Sequence, residues 1–336
     1  MKRTGFLYDE RYLLHDTGSY HPEMPARLEA ILSGIRESGL LARLVRIEAR
    51  EADLKWIETV HESTYINRLK EACRAGVTTF GHPDNQMCGK TFDIALLAVG
   101  GILETLRLLM TGKIDNAFCA VRPPGHHAEK GEAMGFCYFN NVAIAARYLQ
   151  ADWGIDRVAI IDIDVHHGNG TQNIFEDDPS VLYYSFHEHP SFSFPGTGRS
   201  FETGRADGAG FTVNRPILPG QGDAEYLRLT ETDLVPAMER FRPQVVIVST
   251  GFDAHADDLM ADIQLSTNGY SALMEKIVDA ANRLANGRLI SVLEGGYALS
   301  RLPELASNHV SVLLDERTEP VTGAKTGMTG GSEITN

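Results

Sequence analysis

Residues 158–170 read VAIIDIDVHHGNG. The first six, Val158–Ile163, are apolar and β-branched with no polar alternation until Asp162, the pattern of a strand covered on both faces. The run then delivers Asp162, Asp164, His166 and His167 within six residues. Similar runs occur at Asn116–Val121 (NAFCAV), Val181–Phe186 (VLYYSF), Val245–Ser249 (VVIVS) and Leu289–Leu293 (LISVL). Amphipathic stretches separate them, among them Phe92–Met110, Asn141–Gln150, Ala224–Arg240 and Gly269–Ala285. This βαβα rhythm predicts an α/β fold, a parallel sheet with helices on both sides.

The chain has 336 residues, 43% of them hydrophobic, enough for one large core. Length alone would allow two domains, but no linker rich in Gly, Pro or Ser divides the chain and no internal repeat is visible. One domain over 1–316 is expected, followed by a flexible polar tail over 317–336. The aperiodic segment His187–Gly210, rich in Gly, Ser, Pro and Phe, reads as a long ordered loop of the kind that lines sites. A net charge of -14 argues against nucleic-acid binding, which needs clustered cations. It is compatible with cationic substrates, although acidity for solubility alone is the favoured reading. Cys73, Cys88, Cys119 and Cys137 form no C-x-x-C pair and read as buried thiols in a reducing compartment. No signal-peptide core follows the N-terminus and no apolar run reaches membrane-spanning length, so a soluble, cytoplasmic protein is expected.

In open α/β sheets ligands bind beyond the carboxyl ends of the strands. NAFCAV is followed by RPPGHH, with His126 and His127; VAIIDI runs into Asp162, Asp164, His166 and His167; VVIVS leads to TGFD, with Asp253; LISVL leads to EGGY, with Tyr297. Alternate strand residues share a face at about 6.6 Å per pair, so Asp164 and His166 converge on one metal just past the strand. Asp162 lies too far back for the same ion and is placed to orient a histidine from below. His167 points the other way and reads as a hydrogen-bonded structural residue. A catalytic zinc usually takes three protein ligands, and Asp253 is the natural third. The oxygen-rich set also suits iron(II). Water on such an ion ionises near neutrality, and His126 and His127 are both candidates to take its proton.

Singly these signals are weak. A D-x-D pair also serves magnesium phosphoryl-transfer and glycosyl-transfer sites, Asp253 alone suits a helix cap, and Tyr297 alone suits packing. Their arrival at successive strand ends is what favours a site.

The motifs HPEMPAR, VRPPGHHAEKGEAMGFCYFNN, DIDVHHGNGTQ, FPGTG, STGFDAH and EGGY, spread from about His21 to about Leu314, together resemble the histone deacetylase superfamily, which includes acetylpolyamine amidohydrolases and bacterial deacetylase-like amidohydrolases. The resemblance implies a single-domain, three-layer arginase/deacetylase fold with a central, mostly parallel sheet of about eight strands. It implies zinc on Asp164, His166 and Asp253. It makes His126 and His127 the tandem catalytic histidines, with His127 as general base and proton donor, Asp162 accepting from His126, and Asn169 orienting His127. Tyr297 would donate to the developing oxyanion. Gly135, Phe136 and Phe194 would line the substrate tunnel, Asp84 its rim, Met260 its mouth, and Arg27 a channel behind the metal. Structural potassium would bind at Asp162, Asp164, His166, Ser185 and Phe186, and at Phe175, Asp178, Val181 and Phe211.

Asn169 stands where one branch of the family has Asp, and an amide can orient His127 without neutralising an imidazolium. Met260 falls near the position where the polyamine-specific branch carries a Glu, with Asp257 and Asp258 close by. The expected activity is zinc-dependent hydrolysis of acetyl-lysine or a related acyl-lysine to an amine and a carboxylate. The alternative is an acylated polyamine or other small amine as substrate. An arginase-like dimanganese site would need further Asp ligands and a G-G-D-H motif, which are missing. A non-enzymatic acyl-lysine reader would be expected to lack Tyr297 or a metal ligand. Homo-oligomers occur among such proteins.

Overall fold

A computed structural model describes residues 2–316; the tail expected at 317–336 lies outside the described residues. Eight strands form one sheet: β1 (Thr4–Leu7), β2 (Val45–Ile47), β3 (Asn116–Cys119), β4 (Val158–Asp162), β5 (Val181–Glu188), β6 (Thr212–Ile217), β7 (Val245–Thr250) and β8 (Leu289–Leu293). Their order is β2-β1-β3-β8-β7-β4-β5-β6, and every neighbouring pair is parallel. The sheet is therefore wholly parallel, where a mostly parallel one was expected, and the α/β expectation holds.

The five strands anticipated from apolar runs are buried along their whole length. The three others carry weaker signals. β1 is four residues long and contains Gly5, and β2 is three residues with Val45 and Arg46 exposed. β6, TVNRPI, includes Pro216, which is tolerated because β6 is an edge strand with one hydrogen-bonding side unpaired. β5 runs two residues beyond the anticipated end, and His187 and Glu188 pair with Pro216 and Ile217. The long loop thus begins at His189. The helix expected over 224–240 is split into Asp223–Leu229 and Val235–Phe241 by a widened turn, Thr230–Leu234. Pro236 has no N–H to donate to the ladder there, and local widening accommodates the gap.

The helix Thr91–Met110 is apolar nearly all round because it is enclosed, against the sheet on one side and the helix Asn141–Trp153 on another. Gly100 sits at its closest approach to the 50–52 segment, where a Cβ would collide with the Arg50 carbonyl and the Ala52 amide. Gly100→Ala should therefore destabilise by about 2 kcal/mol or more although alanine is the better helix former. Chemical denaturation of the metal-free variant checks this.

Sheet order places the site. Consecutive strands β3 and β4 are separated by β8 and β7, so the carboxyl ends of β3, β8, β7 and β4 stand side by side at the switch in strand order, where such sheets form a crevice. RPPGHH, EGGY, TGFD and DIDVHH are the segments leaving those four ends.

Candidate active site

β4 ends at Asp162, and residues 164–166 form a bend rather than more strand. Asp162 Oδ1 accepts from the Asp164 amide at 3.2 Å, and Asp164 Oδ1 accepts from the His166 amide at 2.8 Å. Asp164 and His166 therefore do converge, but through this bend and not by strand alternation: His166 Nδ1 lies 3.1 Å from Asp164 Oδ1. Asp253, just past β7, completes the group, with Oδ2 at 3.2 Å from the same nitrogen. One ligand atom from each of Asp164, His166 and Asp253 lies within 4.8 Å of the others, and all three residues are buried.

The set fits a divalent cation. Asp253 Oδ1 accepts from the Val165 amide at 2.9 Å, whereas buried Oδ2 has no hydrogen-bond partner. An imidazole nitrogen facing two carboxylates, one of them with an orphaned oxygen, is an environment short of positive charge. Titration behaviour agrees. Burial pushes the Asp253 carboxyl up, and neighbouring Asp164 adds to it, to about 6. Burial opposes a charged His166, but Asp164 and Asp253 outweigh it and lift the imidazole well above its ordinary value.

The tandem histidines differ sharply. His126 Nδ1 lies 3.0 Å from Asp162 Oδ2, which also accepts from the Tyr183 hydroxyl at 3.1 Å. Burial disfavours charge on His126, but Asp162, Asp164 and Glu294 outweigh it and raise its pKa to about 10. The His127 ring lies 4.0 Å from that of His126, centroid to centroid, tilted by 47°. Burial, then the proximity of His126 and His166, push it well below its ordinary value.

A chain of hydrogen bonds fixes the His127 tautomer. Asn169 Nδ2 is 2.8 Å from Glu129 Oε1, which can only accept when ionised, so Asn169 turns its Oδ1 toward His127 Nδ1 at 2.8 Å. His127 must then carry its proton on Nδ1, leaving Nε2 as a free lone pair. Gly135, at φ +57°, is buried against this ring, and any Cβ there would collide with it.

Phe136 and Phe194 are half-buried. Phe194 meets the His127 ring edge-on at 5.0 Å, and Phe136 meets Tyr297 at 6.0 Å. Asp84 is partly exposed and engages His82 Nδ1 at 2.6 Å, while its carbonyl lies 3.0 Å from His21 Nε2. Met260 is 37% exposed. His167 is hydrogen-bonded away from the triad, to Thr197 at 2.8 Å and Gln172 at 3.0 Å. Arg27 is fully buried behind Tyr297, its guanidinium 4.9 Å from the ring centroid. It donates to the Gly296 and Glu294 carbonyls, at 2.6 and 2.7 Å, and to Glu23 at 3.1 Å.

Among the residues anticipated for potassium, Ser185 Oγ pairs with His187 Nδ1 at 2.7 Å, and Asp162 and Asp164 are engaged as described. Phe186 and Val181 are buried in β5. Asp178 pairs with Arg147 at 2.6 Å, and Arg147 lies over the Phe175 ring at 4.7 Å. The Phe211 carbonyl accepts from the Tyr183 amide at 2.9 Å.

Two buried acids were not anticipated. Glu294 accepts from the Gly125 and His126 amides, at 2.7 and 3.1 Å, and from the Ser249 hydroxyl at 2.9 Å, tying the ends of β8, β3 and β7 together. Burial pushes its pKa up to about 7. Glu23 bridges Arg122 and Arg27 beneath the site. Burial disfavours its charge, but Arg122 and Arg27 hold its carboxyl below the usual range. The only trace of either in sequence is a Glu inside a quoted motif, EGGY or HPEMPAR.

Comparison with known proteins places this arrangement. A probable deacetylase of Archaeoglobus fulgidus is 38% identical over 88% of this chain and 82% of its own length. A histone deacetylase-like amidohydrolase of Pseudomonas aeruginosa is 38% identical over 90% of this chain and 83% of its own. The human polyamine deacetylase HDAC10 is 38% identical over 93% of this chain, which spans 47% of that protein. The crystal structure of the HDA15 HD domain superposes with a TM-score of 0.89 at 37% identity, covering 94% of this chain and 90% of that one. The family profile for the histone deacetylase domain matches residues 21–313. With that span, these relatives and the shared fold, the chain belongs to the histone deacetylase family of amide hydrolases.

Proposed function

We propose that this protein is a zinc-dependent deacylase that hydrolyses the side-chain amide of acetyl-lysine or a related acyl-lysine. The observation that carries the reading is the buried Asp164–His166–Asp253 triad next to a histidine, His127, whose free Nε2 is dictated by its neighbours. A zinc ion on the triad would supply Lewis acidity, polarising an amide carbonyl and lowering the pKa of water toward 7.

The chain's own groups do the rest. His127 Nε2 takes a proton from the attacking water as oxygen bonds to the carbonyl carbon. The Tyr297 hydroxyl donates to the carbonyl oxygen as negative charge develops there. His127 then delivers its proton to the amide nitrogen, the C–N bond breaks, and the water's remaining proton passes from the new carboxylic acid to the amine, so that a carboxylate and an ammonium leave. Burial first, and then His126 held positive by Asp162, keep His127 from acquiring a second proton beforehand. Phe136 and Phe194 enclose the methylenes of the acylated amine and exclude water from the reacting carbonyl.

Asn169→Asp tests the division of labour. Made together with Glu129→Gln, so that the new carboxylate meets an amide where Asn169 now donates to Glu129 at 2.8 Å, it places an anion beside Nδ1 that stabilises the imidazolium, and the pKa of His127 should rise by about one unit or more. The acid limb of the kcat/KM profile should move up by the same amount.

The second reading, an acylated polyamine as substrate, is favoured by the acidic chain and by the likeness to a protein named polyamine deacetylase. The comparison that decides is kcat/KM on acetyl-lysine peptides against acetylated di- and polyamines. Preference for the peptide supports the first reading; preference for the amine replaces it with the second. Iron(II) in place of zinc, which the oxygen-rich ligand set suits, and structural potassium, homo-oligomerisation and a cytoplasmic location also belong to this proposal.

A further inference from the structure

We infer that Asp258 is a positioning residue for Tyr297, locking the backbone of the oxyanion donor to the loop that carries Met260; this rests on the deacylase reading. Asp258 is 3% exposed. Its Oδ2 accepts from the Tyr297 amide at 2.6 Å and the Ala298 amide at 2.9 Å, and its Oδ1 accepts from the Met260 amide at 3.1 Å. Hydrogen bonds to a carboxylate are about twice as strong as neutral ones.

Tyr297 needs such an anchor. It follows Gly295 and Gly296, the second at φ +115°, so the segment linking it to β8 has little stiffness of its own. Ring contacts with Arg27 and Phe136 press on the aromatic faces and edges. They resist sliding of the phenol along the tunnel poorly, whereas a bond to the residue's own amide opposes it directly. Asp258 can serve because its loop is closed at the base. The Ala256 amide donates to the Leu265 carbonyl at 3.0 Å, the Leu265 amide to the Ala254 carbonyl at 3.1 Å, and the Asp258 amide to the His255 carbonyl at 2.8 Å. Arg301 pairs with Asp257 at 2.5 Å and ties the same loop to the far side of the Tyr297 segment. Leu259, 98% exposed, and Met260 form the loop's outer tip. A substrate body resting on that tip touches residues adjacent to the anchor of the oxyanion donor.

Asp258→Asn offers one acceptor oxygen where the carboxylate offers two. A displacement of about 1 Å at a catalytic group can cost 100-fold, so kcat of the zinc-loaded enzyme should fall by about 10- to 100-fold, with KM changed by less than about threefold. Amide hydrogen exchange at Tyr297 and Ala298 should be at least about tenfold faster in the metal-free variant. In a Tyr297→Phe background, which has no hydroxyl to position, the same substitution should lower kcat by less than about threefold. Asp258→Glu, which keeps the charge on a longer arm, should follow this pattern and serves if the Asn variant does not fold. Unchanged exchange at Tyr297 and Ala298, or an equal loss of kcat with and without the Tyr297 hydroxyl, would overturn the inference. If wild-type protein hydrolyses no acylated amine the functional reading fails, while the exchange measurement still decides whether Asp258 is the anchor.

Discussion

Asp253→Asn should abolish hydrolysis and, in the metal-free state, leave the fold as stable as wild type or more so. The two effects have one origin. Asp253 is buried beside Asp164, and its Oδ2 makes no well-formed hydrogen bond, with His166 Nδ1 3.2 Å away. Its carboxyl is raised to about 6, above the ~3.9 of an unfolded aspartate. Between those values the native state holds a proton that the unfolded chain has released, so the contribution of this group to stability falls as pH rises. An asparagine removes that penalty, while Asp164 remains, 3.1 Å from His166 Nδ1, to balance charge on the imidazole. It also removes an anionic ligand, and losing several kcal/mol of metal-derived barrier lowering corresponds to a rate loss of about 1,000-fold or more. Zinc should raise the thermal midpoint of the wild type and barely move that of the variant, because only ligand bound to the native state stabilises it. Thermal melts at pH 8 with and without zinc, beside a hydrolysis assay, check both halves.

Tyr297→Phe should lower kcat by about 100- to 1,000-fold, the loss seen when one oxyanion donor is removed. KM and zinc stoichiometry should stay close to wild type. The phenylalanine ring keeps the edge contact with Phe136 and the guanidinium of Arg27 over its face, so the loss isolates the hydroxyl. Steady-state kinetics with a metal analysis of the same preparation measure it. Parallel loss of zinc would remove Tyr297 from the role assigned to it.

The parts legible in the sequence are those written in short runs. Val158–Asp162 and Val245–Thr250 are enclosed on both faces and could be read as strands because their apolar character does not alternate. β2 and β6 were not readable: three residues with an exposed pair, or a proline on an edge, give no such run. Asp164, His166 and Asp253 were legible as a group because each follows a readable strand. Their geometry was not, since it depends on backbone amides turning onto Asp162 and Asp164 rather than on strand pleat. Glu294 and Asp258 were hidden for a different reason. Glu294 meets Gly125 across 169 residues and Asp258 meets Tyr297 across 39, and only the strand order brings those segments together. A buried carboxylate satisfied by backbone amides, with at most one serine hydroxyl added as at Glu294, leaves no oppositely charged side chain in the sequence to reveal it.

The most direct test is a zinc titration of metal-free protein with hydrolysis of an acetyl-lysine peptide as the readout. Zinc-dependent hydrolysis at this site requires no turnover in the presence of a chelator, and activity that rises with zinc and saturates near one equivalent, the capacity of a single three-residue site. Full hydrolysis in the chelated protein, or none of any acylated amine at saturating zinc, would contradict it.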